Sequence, residues 1–220
     1  MRQTLFMLMV PALLAAPTSL QAQDDLPAIR LQELCEGFSA PADGQWAEYL
    51  AESTERDAKI RFTILPDGDS EGKLLELKVS VMDGQSMIIQ VSVPDYPFSP
   101  GDGKRMVMKV EGQPAMVMPL SMVGTMAQME LPTPAASDCL NAEFLGMENI
   151  DIAGVTYETH HIRPAGQDQA EVWLTTDIPF GIVKAEGGGG VMLLLEFGEG
   201  AVSSITETPV TMPGMPGMRN

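Results

Sequence analysis

The chain has 220 residues, with 13 basic and 30 acidic side chains and a formal net charge of −17. Such a surface excludes recognition of nucleic acid or anionic membrane faces, which needs clustered Lys and Arg. The length suits one ordinary domain with a sizeable core, and the acidity favours solubility and cationic partners.

At the start, Arg2 precedes an apolar run from Leu5 to Ala16 that is too short to span a bilayer. Small and polar residues follow, and cleavage after Ala22 in "SLQA" fits a secretory signal peptide over residues 1–22. The mature protein is therefore expected to be exported to the periplasm, without a transmembrane segment. One β-rich domain is expected over 23–208.

"LPAIRLQELCEGF" places Ile29, Leu31, Leu34, Cys35 and Phe38 at mostly helical spacing, and predicts a short amphipathic helix. Beyond it, "QWAEYLAES", "AKIRFTIL", "KLLELKVSVM", "SMIIQVSV" and "KRMVMKV" tend to alternate with period two. Turn chemistry such as "PDGDSEG" and "MDGQ" separates them, as in an antiparallel meander. The stretch Pro114 to Pro134 is rich in methionine and spaces Met122, Met126 and Met129 as one helix face. It reads as a short helix or a loop packing over the sheet.

Strands then resume in "DIAGVTYETHHIRP", "AEVWLTTDI", "GIVKAEG", "VMLLLEF" and "VSSITETP". The tail, residues 209–220, carries two Met-Pro-Gly steps and no packing pattern, and is expected to be flexible. About ten strands and one or two short helices predict a mainly β protein. Its architecture is a large curved antiparallel sheet, a half-open β-barrel.

Cys35 and Cys139 are the only cysteines. In an oxidising compartment a disulfide between them is the default, and no C-x-x-C spacing supports a reactive or metal-binding pair.

Motifs for chemistry are weak. Lys184 precedes Gly187–Gly190, whereas a phosphate-binding P-loop places its lysine after the glycines and leads into a helix. The glycine run is better read as a hairpin turn, and Gly181 as a site where a strand bends. His160 and His161, the only histidines, point to opposite faces of a strand, so they do not chelate one ion together. There is no H-E-x-x-H spacing and no G-x-S-x-G elbow. Thirty acids make any carboxylate pair a chance event, so a glycosidase pair carries no signal. No catalytic residue, metal site or cofactor is assigned, and a non-enzymatic protein is expected.

Methionine is the oddity, with seventeen in the chain. Met106 with Met108, and Met116 with Met118, each project to one strand face. Thioethers suit Cu(I), which makes a copper-binding protein the alternative reading. Methionine also fills irregular cores and lines adaptable apolar cavities. A curved sheet with few aromatics can leave such a cavity for a lipid or acyl chain. Met116, Met118, Met122, Met126 and Met129 are the candidate mouth of that cavity.

Gly44, Trp46, Glu48, Tyr49, Gly154, Tyr157, Trp173, Pro179, Gly181, Val183 and Lys184 together form a familiar pattern. They resemble exported bacterial proteins of unknown function that are similar to the LolA/LolB-like lipoprotein-carrier superfamily. The resemblance covers about half the mature chain. It implies a half-open β-barrel with a helical lid and an apolar ligand or envelope partner, and it supplies no catalytic residues.

Overall fold

The structure is a computed structural model. It describes residues 26–211 except 39, 55, 69–71, 83, 94–102, 120–138, 140 and 167–168. The signal peptide expected at 1–22 lies outside the described residues, as does 212–220 of the expected tail.

The expected helix is α1, Leu26–Gly37. Its Leu31, Leu34 and Cys35 enter the main core. Cys35 is disulfide-bonded to Cys139, with Cα atoms 5.8 Å apart.

Five strands with period-two patterns follow: β1 (Trp46–Ser53), β2 (Ala58–Pro66), β3 (Lys73–Val81), β4 (Ser86–Val93) and β5 (Arg105–Val110). Then come β6 (Met116–Met118), β7 (Glu143–Ile152), β8 (Val155–Arg163) and β9 (Glu171–Leu174). The last three are β10 (Ile182–Gly187), β11 (Gly190–Gly198) and β12 (Val210–Thr211). All join one sheet in the order β12-β6-β5-β4-β3-β2-β1-β11-β10-β9-β8-β7. Neighbours are antiparallel, except that β12 runs parallel to β6. The fold is therefore mainly β, a large curved sheet not closed into a barrel, as expected. Two meanders, β2–β6 and β7–β11, meet along β1, which pairs β2 on one side and β11 on the other.

Register explains how the alternating sequence becomes one apolar inner face. Ile64, Leu75, Val91, Met106 and Met118 lie in successive cross-strand pairs and form one row. A second row runs Ala47, Phe62, Leu77, Ile89, Met108 and Met116, and a third runs Tyr49, Ile60, Val79 and Met87. Since alternate side chains share a face, these rows all point one way, towards the core that α1 also enters. Each fully buried aliphatic or Phe side chain stabilises the fold by roughly 1.5–3 kcal/mol, so these rows dominate its energetics.

The opposite, outer face is polar and partly covered by the segment 199–209. Buried Glu76 accepts hydrogen bonds from Gln90 Nε2 (2.6 Å), Ser204 N (3.0 Å) and Ser204 Oγ (2.6 Å). Lys109 Nζ meets Glu207 at 2.7 Å, and Ile205 packs with Val107 and Ala115 in a small second core. "VSSITETP", expected as a strand, is thus a strap whose polar groups bind side chains rather than a ladder.

Two other expectations are corrected. "DIAGVTYETHHIRP" is not one strand but the end of β7, a turn at Ala153 and Gly154, and β8. Both turn residues have positive φ (49° and 86°), which matches the type I′ hairpin geometry. Within the Met-rich stretch, Met116–Met118 is extended and pairs with β5, neither helix nor loop. The glycine run is a hairpin turn as expected: Gly187 pairs with Gly190, and Gly188 and Gly189 have φ of 58° and 82°.

Candidate functional site

Burial fades across the inner face. In the first row every side chain is buried. In the second row Met108 and Met116 are only partly covered, and in the third Ile60, Val79 and Met87 are. Met192 of β11 and Ala185 of β10, cross-strand partners, are likewise partly buried against the core. The result is a half-covered apolar band across both meanders.

Of the methionines expected at a cavity mouth, Met116 lies in this band. Met118 is buried beside Met106 in the first row, and so belongs to the core. Met122, Met126 and Met129 lie outside the described residues. Met87 and Met192 were missing from the expected set, although each occupies an alternating strand position, the signal that would have included them.

Tyr49 sits among these rows, fully buried, with its ring edge-on to Phe62 at 5.6 Å. Its hydroxyl has no hydrogen-bond partner among the described residues, and burial pushes its pKa well above the ordinary phenol range. An orphaned hydroxyl costs about 1–3 kcal/mol.

The two histidines face opposite ways. His160 is tilted against Phe144 at 6.1 Å, on the side of α1. Burial first, and then the charge of Arg30, lower its pKa. His161 is on the outer face, stacked on Trp173 at 4.1 Å. Its Nδ1 lies 2.9 Å from Glu148 and its Nε2 2.8 Å from Glu171.

Trp173 donates its indole N–H to Glu148 (2.8 Å), and Lys184 Nζ lies 4.2 Å from its ring centroid. Trp173 therefore packs between a histidine and a lysine on its own face, not against a neighbouring layer. Arg61 over Trp46 at 4.0 Å repeats the arrangement further along the sheet. These are cross-strand pairings on one sheet face, of the kind that stabilises a sheet. Among the described residues, no group of three or more His, Cys, Asp or Glu is placed to hold a metal ion.

At one end of the sheet, residues 175–181 form a tight turn closed by Thr175 N to Gly181 O (2.9 Å). Phe180 within it has φ of 65°, a conformation that costs a bulky residue about 1–3 kcal/mol. The strain turns its ring inward to Phe62, at 5.8 Å. Gly181 has φ of 72°, and a Cβ there would lie 2.2 Å from the Phe38 ring. The bend expected at this glycine is thus both a backbone and a packing requirement.

No protein-family model matches the chain, and no curated protein matches it. Among solved structures, MucB aligns with 86% of this chain at 14% identity and a TM-score of 0.39. MucB in complex with MucA(peri) aligns with 83% at 12% identity and 0.40, and the Pseudomonas aeruginosa MucA/MucB complex with 81% at 12% and 0.37. The chain spans 62%, 59% and 58% of the length of those structures, respectively. Such low identities and scores carry no partner or activity over to this chain.

Proposed function

We propose that this is an exported, non-catalytic binding protein of the periplasm, whose curved sheet receives a hydrophobic ligand, such as a lipid or acyl chain, or an apolar segment of an envelope partner. The half-covered apolar band through Ile60, Val79, Met87, Met108, Met116 and Met192 carries this reading. Methionine and aliphatic side chains adapt to a flexible ligand with little demand on its shape. Export is supported by the leader-like residues 1–22 and by the Cys35–Cys139 disulfide.

The test is native mass spectrometry after mild purification, followed by solvent extraction and titration with a dansylated fatty acid. The expected result is a co-purifying apolar mass and saturable dansyl fluorescence that Met87→Glu abolishes without unfolding the protein. Ligand-free protein that binds neither the probe nor an envelope protein sinks the proposal.

A copper-binding role is the second reading. Met106 faces Met118 and Met108 faces Met116 across β5 and β6, bringing four thioethers to one sheet face. Burial of Met106 and Met118 favours a packing role for that pair. Anaerobic Cu(I) titration against a competing chelator decides between them, and affinity weaker than about micromolar removes the copper reading.

A further inference from the structure

At the end of the inner face where Phe197 lies opposite Ala47, a cavity of 440 Å³ opens where the turn 175–181 meets the ends of α1 and β11. Phe38, Pro179, Phe180 and Phe197 form its apolar wall, and Asp177 and Glu199 supply its charged groups. We propose that this cleft docks an extended polypeptide segment carrying an apolar anchor flanked by Lys or Arg. It shares none of its lining residues with the half-covered band through Ile60, Val79, Met87, Met108, Met116 and Met192.

Three observations support the cleft as a built feature. Its floor is the strained Phe180, held by a glycine over which the Phe38 ring is closely packed. Its lip is Phe197, an aromatic left 38% exposed, whereas the other large rings among the described residues are buried more deeply. Among the described residues its charged lining is acidic: Glu199 accepts a bond from Gln45 at 3.1 Å, and the Asp177 carboxylate makes no hydrogen bond or ion pair with any of them.

The volume accommodates one or two anchoring side chains. The occupant's charge follows from complementarity. A lining with two carboxylates and no cation, on a chain of net charge −17, attracts and orients a basic segment and repels an acidic one. An apolar anchor meets the phenyl rings, which add cation–π attraction for a flanking Lys or Arg.

Fluorescence polarisation on the full chain tests this with a labelled Lys-Leu-Arg-Phe-Lys-Leu peptide. An acidic Glu-Leu-Glu-Phe-Glu-Leu peptide and a polar Lys-Ser-Arg-Ser-Lys-Ser peptide are the controls. Saturable binding is expected for the first peptide alone. Phe197→Ser should weaken it about tenfold, the loss typical of an interface anchor. Asp177→Asn should weaken it several-fold, and Glu186→Gln, an equal change of charge on β10, should leave it unaltered. Overturning results are no saturable binding below millimolar peptide, equal binding of the polar basic peptide, or a Phe197→Ser protein that binds as tightly as the parent. Equal losses in the Asp177 and Glu186 variants would also assign the effect to bulk charge.

Discussion

His160 and His161 are neighbours in sequence with opposite surroundings, and the titration of His160 is displaced. Burial and Arg30 lower its pKa in the folded state, against weaker opposing contributions from Glu158, the Leu174 backbone and Glu33. A histidine with a lowered folded pKa stays neutral while the unfolded chain takes up the proton. Stability is thus full above about pH 6.5 and falls as pH drops through that value towards the folded pKa. Urea midpoints should therefore decline between about pH 7 and 5, and His160→Leu should flatten that slope. Glu171 and Glu207 act in a lower window. Their pKa values are depressed, chiefly by hydrogen bonds from Arg163 and Lys109, so their contribution is lost only on acidification through the carboxylate range. An unchanged slope in the His160 variant would remove His160 as the cause.

Among the elements, the strap 199–209 is held in part by one buried carboxylate. Glu76→Ala would leave Gln90 Nε2 and the Ser204 amide and hydroxyl without this acceptor, a loss of about 2–3 kcal/mol by chemical denaturation. Glu76→Gln should lose less, because one oxygen still accepts; equal stability of the Ala variant would show that water replaces the clasp.

This strap also shows what sequence patterning can and cannot reveal. "VSSITETP" alternates like a strand, but which backbone finds a ladder and which a side-chain acceptor depends on Glu76, more than a hundred residues away. β7 was missed for a local reason: "ENIDI" mixes polar and apolar residues, and its turn uses Ala153 where Asn or Asp would have announced it. By contrast β1–β5, with period-two runs and plain turn residues, were legible, as were the glycine turn and the opposed histidines. Of the candidate site, the methionine pairs on β5 and β6 were visible as i, i+2 spacings. The rows joining them to Ile60, Val79 and Met87 require registers that no single segment encodes.

For the whole molecule, the disulfide fastens α1 to residue 139 across a separation of 104 residues, a loop that contains β1–β6. Closing so long a loop restricts the unfolded chain, and Cys35→Ala with Cys139→Ala should lower stability by about 2–5 kcal/mol. Unfolding curves with and without reductant measure this, and coincident midpoints would show that the cross-link stabilises nothing. The sheet has a second long-range closure, the seam where Trp46 lies opposite Gly198 and Ser53 opposite Gly190. That seam is near the middle of the strand order, and it sets a timetable. As the chain is made from its N-terminus, β1 is among the first parts to emerge, but its partner β11 is among the last. Until then there are only two half-sheets, with bare edges where the centre belongs. Stopping synthesis short of residue 190 would leave the fold unfinished at its middle rather than trimmed at its rim.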